Sequence, residues 1–153
     1  MRALLALLLA TAAQAGTAAT TTTTLPDAGC GGSPAAAFVS IDCRLDALAA
    51  RVQGATGFQK PQTKTQLLGA LTKVTGNKVA AETLCAKPDA KSAGKRLKKA
   101  IRGMIQFGHR LRSLTGRRTI EAGVRTELIA AGTSIQTDLK TLKTGLQCPA
   151  DAP

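Results

Sequence analysis

Tryptophan and tyrosine are absent from this 153-residue chain, which holds three phenylalanines and one histidine. A stacking platform for nucleic-acid bases needs clustered rings, and Phe38, Phe58 and Phe107 are too scattered to build one, so no sequence-specific nucleic-acid partner is expected. His109 has no carboxylate or nucleophile beside it, which leaves acid–base and covalent catalysis without their usual partners. Acids are scarce too, nine against twenty-one lysines and arginines. Asp42 and Asp46 come closest to a carboxylate pair, yet their one-turn spacing equally suits the positive end of a helix dipole. With no glycine-rich phosphate loop and no metal-ligand cluster, no reaction class can be assembled. The chain is expected not to be an enzyme and to need no cofactor.

Long apolar runs are confined to the beginning. Arg2 precedes an apolar segment over residues 3–10 that is too short to span a bilayer, and Ala13 and Ala15 are small residues of the kind a signal peptidase accepts. Residues 1–15 therefore read as an export signal cleaved before Gly16, which predicts a secreted or periplasmic product. No later stretch has the ~18 apolar residues of a transmembrane segment. Residues 16–33, with a threonine run from Thr20 to Thr24 and Gly29, Gly31 and Gly32, lack the apolar surface to offset their ordering entropy and are predicted to be a flexible linker. Residues 149–153 are expected to form a disordered tail.

Four cysteines are present, Cys30, Cys43, Cys85 and Cys148. An even number in an oxidising compartment predicts two disulfides. Zinc sites draw ligands from close pairs, and no two of these cysteines are close in sequence, so no metal is expected.

Helical periodicity governs residues 34–148, and breakers divide it into four segments. Phe38, Ile41, Leu45, Leu48 and Val52 mark one face of a first helix, begun either by Ser33 and Pro34 or by Ser40 as N-cap, and ended by Gly54 and Gly57. Leu67, Leu68, Leu71, Val74 and Leu84 mark a second from Pro61 to Cys85, with Gly69 and Gly76-Asn77 as places where it could bend. Pro88 stops it and Asp89 caps the third, over residues 90–115, whose apolar side is Ala93, Leu97, Ala100, Ile101, Met104, Gly108 and Leu111, with Gly116 as its stop. After Ile120, a seven-residue rhythm of Val124, Leu128, Ala131, Ile135, Leu139, Leu142 and Leu146 marks the fourth.

Four amphipathic helices with short connections predict an all-α, antiparallel up-down-up-down four-helix bundle. Such a topology gathers the cysteines at one pole. Three pairings remain open from the sequence, and the packing of consecutive helices favours Cys43 with Cys85 and Cys30 with Cys148.

Leu67-Leu68 to Leu71, the Ala100-Ile101 to Leu111 helix, and Gly116-Arg117-Arg118-Thr119-Ile120 leading to Leu128-Ile129 form a recognisable series. Through them residues 45–142 resemble the FIMAH domain, a small helical domain of secreted bacterial proteins. Met104-Ile105 stands where that family carries phenylalanine followed by isoleucine. The resemblance implies an accessory or binding domain and no catalyst.

Charge is the remaining signal. From Lys87 to Arg118 there are eleven cations against the single acid Asp89. Lys91, Lys95, Lys98, Lys99 and Arg102 form a stripe on the third helix, with Arg110, Arg112, Arg117 and Arg118 beyond it. Such a stripe attracts polyanions over a Debye length of ~8 Å at physiological salt. The expected partners are anionic polysaccharide, envelope phosphate or a membrane surface; the competing expectation is a solvated helix face on a domain that binds a protein partner.

Overall fold

In the computed structural model, which describes residue 30 and residues 36–148, five helices account for almost all of the described backbone: α1 (Phe38–Gly54), α2 (Pro61–Cys85), α3 (Ala90–Arg112), α4 (Leu114–Thr119) and α5 (Ala122–Thr144). The expected export signal and tail, and the expected linker apart from Cys30, lie outside the described residues, as do Ser33 and Pro34.

The four expected helices form as α1, α2, α3 and α5, where their apolar spacing predicts. Ile41, Leu45, Leu48 and Val52 of α1 are buried, and the helix closes with the Ala55 N–H on the Arg51 carbonyl. Its start differs from expectation. Ser40 is not a cap but a buried residue inside the helix, and α1 begins after Ala37 with no side-chain cap. Burial of Ile41 against the other helices outweighs the missing cap, which is worth about 1 kcal/mol.

The second helix has Pro61 in its first turn, where the missing N–H costs nothing, and runs unbroken through Gly69 and Gly76 to Cys85. Asp89 caps α3 by accepting the Ser92 N–H at 2.9 Å.

The predicted fourth helix is preceded by an extra one, and α3 stops at Arg112 rather than at Gly116. Ser113 causes both changes. Its Oγ donates to the Arg110 carbonyl at 2.7 Å, closing α3, and accepts the Gly116 N–H at 3.1 Å, opening α4. Gly116 is itself buried against α3: a Cβ there would lie 2.3 Å from the Arg110 carbonyl oxygen. Only glycine permits this approach.

A single core joins the helices, built from Leu45, Leu48, Leu67, Leu71, Leu97, Met104, Phe107, Leu111, Leu128 and Ile135 among others. The most extensive packing is between α2 and α3, followed by α3 on α5, while α1 lies on α2 and α5. Neighbours meet head to tail. Asp42, early in α1, bonds to Lys78, late in α2; Arg44 bonds to Asp138, late in α5; Arg51, late in α1, bonds to Glu127, early in α5. Arg110, late in α3, donates to the Gln66 carbonyl, early in α2, at 2.9 Å. The connections α1–α2 and α4–α5 are stitched by the Gln59 N–H on the Thr119 carbonyl and the Glu121 N–H on the Gly57 carbonyl, both at 2.8 Å.

The two disulfides are Cys30–Cys43 and Cys85–Cys148, which overturns the expected pairing of Cys43 with Cys85 and Cys30 with Cys148. Helix adjacency is the weaker constraint here. Cys30 lies a short distance upstream of α1, so closing 13 residues onto Cys43 costs less chain entropy than reaching any other cysteine. Past α5 the chain leaves helical form at Gly145, and residues 145–148 carry Cys148 to the end of α2.

Candidate functional site

The surface of α3 follows directly from its sequence spacing. Lys91, Lys95, Lys98 and Arg102 recur at intervals of four, three and four, which places them along one line of a helix, and Lys99 stands beside them. All five are exposed, while Ala93, Leu97, Ala100, Met104, Phe107 and Leu111 on the opposite side are buried. The expected stripe is thus a single solvent-facing ridge. From Lys91 to Arg102 it is about 16 Å long at the helical rise.

Two residues extend it. Arg96 is exposed on its flank, and His109, seven residues beyond Arg102, continues the same line. The seven-residue interval alone could have placed His109 there. It is an exposed imidazole on a cationic ridge.

Farther along, the arginines gather at the corner where α3, α4 and α5 meet. Arg110, Arg112, Arg117 and Arg118 are all exposed. Arg117 Nε donates to the Arg112 carbonyl and Arg125 Nη1 to the Arg117 carbonyl, each at 3.2 Å, so Arg125 of α5 joins this corner. Arg110 differs from the others in being fixed onto α2 through Gln66.

Acids are distributed the other way. Among the described residues, every ion pair is made by Arg44, Arg51 or Lys78, with Asp138, Glu127, Asp42 and Glu82. None of the cations of α3 or α4 has a carboxylate partner in this set. The nearest acid to the ridge is Asp89, already engaged in capping α3; the Ser92 backbone and side-chain hydrogen bonds, with smaller contributions from Lys95 and Lys91, hold its carboxyl below the ordinary value. Four of the acids therefore neutralise the α1 side and leave the α3 side cationic.

The candidate carboxylate pair is not brought together as a site. Asp42 is bound by Lys78 across the α1–α2 interface, and Asp46 is exposed one turn further on. A shallow depression of about 190 Å³ is lined by Thr63, Gln66, Leu67, Arg110, Ser113, Thr115 and Gly116, with neither acid, histidine nor cysteine in its wall. No three of the His, Cys, Asp and Glu side chains among the described residues are grouped so as to hold a metal ion. No helix among those residues is long and apolar enough to cross a membrane.

Comparison with family models, with curated proteins and with solved structures finds no match to this chain.

Proposed function

We propose that the chain is a non-catalytic, extracytoplasmic binding module whose α3 ridge holds an anionic polymer of the cell envelope or its surroundings. The observation that carries this reading is the segregation of charge: Lys91, Lys95, Lys98, Lys99 and Arg102 face solvent without an ion pair among the described residues, while Arg44, Arg51 and Lys78 take up four of the acids around α1. A surface selected only for solubility mixes its signs. The head-to-tail contacts support an up-down-up-down arrangement of α1, α2, α3 and α5, with α4 as an added turn. In that arrangement α3 stands across the bundle from α1.

Two disulfides and the absence of a membrane-crossing helix among the described residues are compatible with a life outside the cytoplasm, after removal of residues 1–15. An accessory, non-catalytic role is also what the FIMAH resemblance implies. Recognition here is electrostatic, through lysines that act as mobile point charges and not as a fixed template.

Retention on immobilised heparin, used as a model polyanion, tests the reading. The wild-type chain should elute with rising salt, and five contacts predict a slope of log K against log salt of about −3.5. A Lys95→Glu, Lys98→Glu, Lys99→Glu variant with an unchanged melting curve should lose retention. If that folded variant elutes with the wild type, the ridge is not the site and a protein partner becomes the better account.

A further inference from the structure

Among the described residues four large apolar side chains are exposed: Val39 at 67%, Val79 at 46%, Ile105 at 37% and Leu114 at 72%. They fall into two settings. Val39 and Val79 flank the Lys78 cluster, where Asp42 and Glu82 neutralise the lysine. Ile105 and Leu114 lie on the outer side of α3 and α4, among arginines.

Leu114 is the more exposed of the second pair, and its placement is set by α4 itself. Gly116 and Thr119 turn inward and are buried, so the opposite side of this short helix carries Leu114 together with Arg117 and Arg118, three and four residues on. Arg117 folds back onto the Arg112 carbonyl, and Arg125 reaches the Arg117 carbonyl, each at 3.2 Å. A protruding leucine thus shares the outer side of α4 with two arginines. Glu121, the acid nearest in sequence, packs at Gly57, with its Oε2 2.9 Å from where a Cβ of that glycine would stand. Among the described residues no ion pair offsets this corner.

A hydrated sugar polymer has no use for an apolar tip, whereas an anionic bilayer presents phosphates above an apolar interior. Resting on the reading of α3 and α4 as a polyanion-binding surface, we propose that their shared corner docks the protein on an anionic phospholipid bilayer. Leu114 enters the headgroup boundary, and Arg112, Arg117 and Arg118 hold lipid phosphates around it. Guanidinium matches phosphate in a bidentate fork, and its alkyl stem tolerates the boundary region while the charge stays in water. One apolar residue alone anchors nothing, but one joined to a basic patch supplies the two signals that reversible membrane attachment requires. The lysine ridge of α3 adds long-range attraction.

Because the chain has no tryptophan, Leu114→Trp introduces a single reporter at the tip, and Val39→Trp an equivalent control at the other apolar setting. With the full-length oxidised chain and vesicles of phosphatidylglycerol and phosphatidylcholine, the emission of the Leu114→Trp protein should move to shorter wavelength and become shielded from a soluble quencher. The Val39→Trp protein should show neither change, and heparin should shift neither. In vesicle sedimentation, Leu114→Asn should weaken binding about tenfold while leaving heparin elution where it was. Arg117→Gln with Arg118→Gln should weaken it roughly thirtyfold. Vesicle binding with no change in Leu114→Trp emission, or full binding by Leu114→Asn, overturns the proposal. Heparin retention without any vesicle binding also overturns it and leaves the polyanion reading standing; loss of both removes both.

Discussion

Lys78 lies wholly inside the bundle and bonds across the α1–α2 interface to Asp42. Glu82, one turn further along α2, accepts from the same ammonium at 2.6 Å, and the Phe38 ring centroid is 5.4 Å away. The three charges are unequally placed, since both carboxylates keep about two fifths of their exposure and the lysine has none. Removing the acids should therefore cost more than removing the base. Asp42→Asn combined with Glu82→Gln strands a buried ammonium and should lower unfolding free energy by about 3 to 5 kcal/mol. Lys78→Met fills the same space and lets the acids hydrate, so its effect should stay within about 1 kcal/mol. Urea denaturation of the two variants decides the matter, and the opposite ranking would show that the lysine is held by packing alone.

Gly103 permits the close packing of α3 on α2. A Cβ at that position would lie 2.6 Å from Val74 Cγ2, so either the Val74 side chain or one of the helices would have to shift. Gly69, by contrast, faces open space. The same substitution should then have opposite signs at the two sites: Gly69→Ala stabilising by up to about 1 kcal/mol, Gly103→Ala destabilising by about 1 to 3 kcal/mol. Pairing Gly103→Ala with Val74→Ala should recover part of the loss in a thermal melt. No recovery would mean that the clash is relieved elsewhere.

How much of this was legible in the sequence depends on whether a feature is set by local spacing. The apolar faces of α1, α3 and α5 and the limits of α2 follow from periodicity and from Pro61, Pro88 and Asp89, because those signals act within a few residues. The ridge on α3 was readable for the same reason. What escaped depends on tertiary fit. Lys78 occupies a core position that its charge conceals, and Phe107 is buried against Gly132 across the interface, where a Cβ would lie a tight 3.2 Å from the ring. Ser113 ends α3 early and opens the unexpected α4 through two hydrogen bonds that no composition rule reveals. The apolar tip at Leu114 is a consequence of that new helix.

The two disulfides close loops of different size, 13 residues for Cys30–Cys43 and 63 for Cys85–Cys148. In the chain-entropy model they contribute about 3 and about 4 kcal/mol respectively. The larger difference should be in what unfolds: Cys85–Cys148 joins the end of α2 to the end of the bundle, whereas Cys30–Cys43 fastens the approach to α1. Cys85→Ser with Cys148→Ser should therefore lower the Tm more than Cys30→Ser with Cys43→Ser. An unreduced peptide map should recover the same two pairs, and a peptide joining Cys43 to Cys85 would contradict the fold described.

Stability at acid pH should report on Asp89. Its carboxyl is held below the ordinary 3.8, foremost by the Ser92 backbone and side-chain hydrogen bonds and further by Lys95 and Lys91, and burial opposes the shift. A group that is more acidic when folded stabilises the fold where it is ionised in both states. The contribution is therefore complete above about pH 5 and is lost as pH falls through the folded pKa. Asp89→Asn keeps an oxygen to accept the Ser92 N–H but does not titrate, so it isolates the charge from the cap. Wild type should exceed Asp89→Asn in stability at pH 7, and the gap should close as pH falls below the ordinary carboxylate range. Asp89→Ala removes the cap as well and should remain the least stable of the three at both extremes. Urea titrations at pH 7 and pH 2.5 measure this directly, and a constant gap between wild type and Asp89→Asn would show that the charge does not contribute to holding the start of α3.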